Sequence, residues 1–148
     1  MTFDDAAFGG RIERQNRIAV VASPWSISDR LLVLLGSEFI SVDVQRVDDI
    51  SAIRHHADGH AHYPAYVMLD APSARAMVAE DAQAIADLSR VTQIAICYRD
   101  ADEIADVVQA VKEENLLNAV GFVPVNVSVD AVIAQIQSVM AGVITLWI

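Results

Sequence analysis

With 148 residues, 54% of them hydrophobic and 20% charged, the chain is long enough to bury one sizeable core and too short for two ordinary domains. Its net charge of −10, from twenty acids against nine arginines and a single lysine, argues against sustained contact with a nucleic-acid backbone, where affinity depends on counterion release by basic groups. No apolar stretch approaches the roughly 18 residues of a membrane span, the amino terminus lacks the pattern of a signal peptide, and one cysteine, Cys97, cannot form an internal disulfide. A cytoplasmic protein with no membrane partner is expected.

Residues 1–16 are polar, contain Gly9-Gly10, and predict an extension outside the fold. From Arg17 onwards, apolar strands alternate with amphipathic helices. Ile18 to Ala22 predicts a buried strand. Ser26-Ile27-Ser28-Asp29 has the Ser-x-x-acid form of a helix start, with Ile27, Leu31, Leu34 and Leu35 at helical spacing. Ile40, Val42 and Val44 alternate with polar residues as in an edge strand, and Asp48 to His56 reads as helical.

Tyr66-Val67-Met68-Leu69-Asp70 is a continuous apolar run ending on a carboxylate, the pattern of a buried parallel strand. Ser73 to Arg90 predicts an alanine-rich helix, and Ile94 to Cys97 another buried strand. Asp100-x-x-Glu103 opens a helix with Ile104, Val107, Val108 and Val111 on one face. Ala119 to Val123 is a fifth strand, and Ser128 caps a last helix that carries an apolar stripe and stops at Gly142. Five βα units of this kind predict an α/β fold: a flavodoxin-like, doubly wound, five-stranded parallel sheet of order 2-1-3-4-5 with helices on both faces.

Open α/β sheets place their sites at the carboxyl edge, which makes Asp70 the first candidate for chemistry. The span 17–142 resembles a receiver domain of a two-component response regulator, and its carboxyl half resembles the LuxR-type branch. The resemblance rests on Val67-Met68-Leu69-Asp70, on Gly121-Phe122-Val123-Pro124, and on Ser128 to Gly142 ending Val139-Met140-Ala141-Gly142. It implies a phospho-acceptor at Asp70. It also implies an acid pair for Mg²⁺ after the first strand, a Ser or Thr after the fourth, a Lys after the fifth, and an aromatic switch at Phe122.

The first of these positions hold Ala22 and Ser23. The Ser/Thr position falls on Tyr98, or on Cys97 in a register one residue shorter, and the lysine position on Val125 or Pro124. The chain's single lysine, Lys112, lies in a helix. A phosphoryl group in transfer needs its charge stabilised by metal and cation, so the resemblance implies an atypical receiver, or pseudo-receiver. Asp70 then reads as a strand-ending acid held by helix amides or by Arg75 or Arg99.

His55, His56, His60 and His62 are close enough in sequence to bind Zn²⁺ or Cu²⁺, but no cysteine or well-placed acid completes a structural zinc spacing. The segment around Asp58-Gly59 reads as a solvated helix end and loop. No metal or cofactor is expected. Ser23 and Ser26 lack a nucleophile-elbow motif, and glycine-rich phosphate loops are absent from the sequence.

The reading that follows is a non-enzymatic signalling and protein-interaction domain of a transcriptional regulator, independent of phosphorylation. It is expected to form a homodimer through its first helix or carboxyl-terminal half, where Leu116-Leu117 adds apolar surface. A histidine kinase or another signalling protein is the expected partner, and DNA is reached only through a separate carboxyl-terminal output domain. Residues 143–148 form an apolar tail or the start of a linker to it. The alternatives are a phospho-accepting receiver using Asp70, and a small flavodoxin-like ligand-binding domain or enzyme.

Overall fold

Strands whose residues are apolar at every position need cover on both faces, and that requirement organises the chain. The structure, a computed structural model, describes residues 2–5, 10–38, 43–48, 55–57 and 60–140. In chain order the elements are β1 (Thr2–Asp5), β2 (Gly10–Val21), α1 (Asp29–Glu38), β3 (Asp43–Arg46), β4 (His55–Ala57), β5 (His60–Asp70), α2 (Ala71–Ser89), β6 (Gln93–Tyr98), α3 (Ala101–Glu113), β7 (Gly121–Pro124) and α4 (Val129–Met140).

The parallel part of the sheet runs β3-β2-β5-β6-β7, which is the order 2-1-3-4-5 expected from the sequence. Alternate strand residues divide the core into two layers. Ala19, Val21, Val67, Leu69, Ile94, Ile96 and Phe122 pack with α2 and α3. Ile18, Val20, Tyr66, Met68, Ala95, Cys97 and Val123 pack with α1 and α4. The fold is a doubly wound, flavodoxin-like α/β sheet.

Helix boundaries follow local capping. Ser28, rather than Ser26, caps α1, its hydroxyl accepting from Leu31 N at 3.2 Å. Asp70 caps α2, with Pro72 in the first turn, and Asp100 caps α3 through Glu103 N at 2.8 Å. After α3 the chain turns at Asn115, whose φ of 59° is one that asparagine tolerates, and Leu116 N donates to Val111 O at 2.9 Å.

Three expectations are corrected. The polar segment before Arg17 contributes strand: β1 pairs antiparallel with the first half of β2, and that half pairs in parallel with β5. A polar sequence argues against side-chain burial, not against backbone pairing. The helix expected over 48–56 is strand at His55 and His56, within a hairpin of β4 and β5; positions 49–54 lie outside the described residues. Leu116 is buried against the core and offers no dimer surface, with Leu117 packed partly beside it. Strand residues 40–42, the helix stop at Gly142 and the tail 143–148 also fall outside the described residues.

Candidate functional site

β5 carries Asp70 to the carboxyl edge of the sheet, between β2 on one side and β6 on the other. There the carboxylate is 2% exposed. One oxygen, Oδ1, accepts from Ser73 N at 2.9 Å, closing the first turn of α2, and Oδ2 accepts from Ser23 N at 3.1 Å in the β2–α1 loop. A buried charge is tolerated when its lone pairs meet aligned donors, and two backbone amides, one of them at a helix start, supply that compensation. Neither arginine considered as a partner takes that role. Arg75 pairs with Asp106 at 3.2 Å, and Arg99 Nη1 donates to Trp25 O at 3.2 Å.

Cys97 is the register partner of Asp70 and lies in the same core layer as Tyr66 and Met68. Burial, and secondarily the neighbouring Asp70 charge, push its thiol far above the ordinary value of 9.0, so it is held as a neutral thiol. Tyr98 ends β6 in the opposite layer, its hydroxyl raised by burial, and its carbonyl accepts from Val125 N at 2.8 Å. Phe122 is core packing in that same layer. Pro124 pairs with Tyr98 at the end of β7, and Val125 packs partly against the other layer. The structure therefore gathers Asp70, Ser23 and Cys97, and leaves Tyr98 and Phe122 on the other side of the sheet.

The place of the Mg²⁺-binding acid pair is taken by a different arrangement. Ala22 is half-buried, and its carbonyl accepts from Arg46 Nη1 at 2.5 Å. Arg46 Nη2 donates to Ile27 O at 2.7 Å and to Asp29 Oδ1 at 2.9 Å. A planar guanidinium suits this task because it presents several donors in fixed directions. It ties the end of β3 to the loop whose Ser23 amide holds Asp70. Sequence reasoning missed Arg46, since a single arginine at a strand end carries no motif.

Also missed was a cleft of about 310 Å³ at the carboxyl edge between the starts of α1 and α4, lined in part by Trp25, Arg30, Arg99, Val127 and Val129. Trp25 is 86% exposed, with Val127 and Val129 more than a third exposed beside the same cleft. Large apolar side chains left in water at one place are the usual sign of a contact surface.

Among solved structures, the chain is similar to a response regulator receiver protein from Pseudoalteromonas atlantica, at 14% sequence identity and a TM-score of 0.47, covering 85% of this chain and 98% of that one. No protein-family model and no curated protein matches the chain.

Proposed function

We propose that the chain is a receiver-like signalling domain that acts through protein contacts, with Asp70 serving as a structural helix cap and not as a phospho-acceptor. One observation carries this reading: both carboxylate oxygens of Asp70 are occupied by backbone amides in a site that is 2% exposed. An attacking carboxylate oxygen needs an approach line to phosphorus, and the charge that develops there needs metal and cation. Ala22 and Ser23 supply no carboxylate for the metal, and Pro124 and Val125 supply no cation. The strand order and the position of Asp70 on the third parallel strand support the receiver-like part of the reading.

The exposed Trp25, beside Val127 and Val129, is the surface offered to a partner protein, because a desolvated tryptophan contributes more to an interface than most residues. In this reading any effect on transcription passes through a separate DNA-binding domain, since a charge of −10 disfavours direct phosphate contact.

The test is incubation with acetyl phosphate and Mg²⁺, and separately with beryllium fluoride and Mg²⁺, followed by intact mass and amide NMR. Unchanged mass and unshifted Ser23 and Ser73 amides are expected. A stoichiometric adduct lost in Asp70→Asn would overturn the proposal in favour of a working phospho-acceptor.

A further inference from the structure

We propose that the cleft between the starts of α1 and α4 docks an acidic segment of a partner protein, one that sets a carboxylate beside a large apolar side chain. The proposal rests on the reading of the Trp25 surface as a protein contact and names the chemistry that this surface meets. Among the described residues that line the cleft, two are arginines, Arg30 and Arg99, and none is acidic. In a chain with twenty acids against ten bases, that is a local reversal of sign.

The acids adjoining these residues in sequence are engaged elsewhere. Asp29 pairs with Arg46 at 2.9 Å, Asp100 caps α3, and Glu103 Oε1 accepts from Arg99 N at 3.2 Å. Asp130 is exposed on the first turn of α4 and does not line the cleft. Both α1 and α4 begin at the cleft, where Ser28 and Val129 line it, so the positive ends of two helix dipoles add to the arginine charges. Arg99 is held there by its Nη1 bond to Trp25 O, and a guanidinium with five N–H donors keeps others for a carboxylate.

Trp25, Val127 and Val129 supply the apolar half of the recognition, and the half-buried Leu34 extends it along α1. Tryptophan beside arginine is the composition enriched where protein interfaces concentrate their binding energy. Valine and leucine walls suit an aliphatic or aromatic side chain and offer no partner to a sugar. Two arginines in a chain of net charge −10 release too few counterions to hold a nucleic-acid backbone. The same net charge repels acidic proteins at long range, so only a segment that seats its carboxylate and its apolar side chain together gains enough to stay bound.

The experiment selects a phage-displayed library of random peptides against the full chain and then measures the selected peptides, synthesised and labelled, by fluorescence anisotropy. They should carry Asp or Glu beside Leu, Phe or Trp, and the amide NMR shifts they cause should map to the cleft. Binding should weaken at least about fivefold in Arg30→Glu and in Arg99→Glu, and less than about twofold in Lys112→Glu at the far end of α3, with amide spectra showing each variant folded. It should also weaken as NaCl rises from about 0.05 to 0.5 M. Neutral or basic peptides that are lost in Trp25→Ser but indifferent to both arginines would overturn the acidic partner and leave the Trp25 contact standing. Recovery of no peptide that binds below about 100 μM, or of peptides whose shifts map elsewhere, would overturn both. Arginine-dependent binding of a labelled single-stranded oligonucleotide, without an acidic consensus among the peptides, would replace the proposal with a phosphate ligand.

Discussion

A carboxylate at the end of a parallel strand can be a reactive group or a clamp, and the donors on its two oxygens decide between them. Asp70 spans two segments: it starts α2 through Ser73 and fixes the β2–α1 loop through Ser23. Replacing it with alanine removes a helix cap, about 1 kcal/mol, and strips a buried amide of its acceptor, a further 1–2 kcal/mol or so. Urea denaturation of Asp70→Ala should therefore show a loss of roughly 2–3 kcal/mol, while Asp70→Asn, which keeps one carbonyl acceptor, loses about half as much. An unchanged midpoint in both variants would contradict the clamp role. Its neighbour Cys97 gives a second prediction. Burial raises the thiol's folded-state pKa above the unfolded value near 9.0, so the folded chain holds the proton longer than the unfolded chain as pH rises. Its stabilising contribution is complete below about pH 9 and declines above it, by up to about 1.4 kcal/mol per pH unit, and Tyr66 adds to the decline above its ordinary value of 10.0. Denaturation midpoints measured from pH 7 to 11 should fall, with a shallower slope in Cys97→Ala. The native thiol should resist iodoacetamide until urea unfolds the chain.

Between elements, the Arg46 bridge ties the end of β3 to the β2–α1 loop. Lysine keeps the charge but cannot hold Ala22 O, Ile27 O and Asp29 at once, so Arg46→Lys should cost about 1–2 kcal/mol and speed hydrogen exchange at the Ser23 amide. Equal protection of Ser23 in wild type and variant would rule the bridge out as the support of that loop. Arg46 also marks where the sequence stops being legible. The five core strands, the helices on both faces and the caps at Asp100 and Ser128 rest on local pattern and are legible in the sequence. Long-range donors such as Arg46 and the Ser23 amide are set by tertiary approach and leave no spacing to read. The alanine-rich run of α2 concealed a break: Asp81 has φ −159° and ψ 85°, and its carboxylate accepts from Ala84 N at 3.3 Å, starting a second helical segment. An aspartate beside good helix formers was the available signal, and the surrounding alanines outweighed it. The β4–β5 pairing is hidden for a related reason, since the pattern over 48–56 fits a helix and only a partner strand makes His55 and His56 part of a sheet.

At the scale of the whole molecule, two forces oppose each other when copies meet. Trp25, Val33, Val127 and Val129 leave apolar surface on α1 and at the start of α4, the region where self-association is expected. Every copy also carries a charge of −10, so two chains repel over the Debye length, about 10 Å at 0.1 M salt and about 3 Å at 1 M. The apolar term changes little with sodium chloride over this range, whereas the repulsion is strongly screened. Self-association should therefore strengthen as salt is raised, the reverse of an assembly held by ion pairs. Sedimentation equilibrium at about 0.05 M and 0.5 M NaCl, at tens of micromolar chain, should show a larger dimer fraction at the higher salt. Trp25→Ser should lower that fraction at both salts, because it removes the largest exposed apolar side chain. A dimer that weakens with salt, or one indifferent to Trp25→Ser, would place the interface elsewhere and leave the Trp25 surface to a different protein.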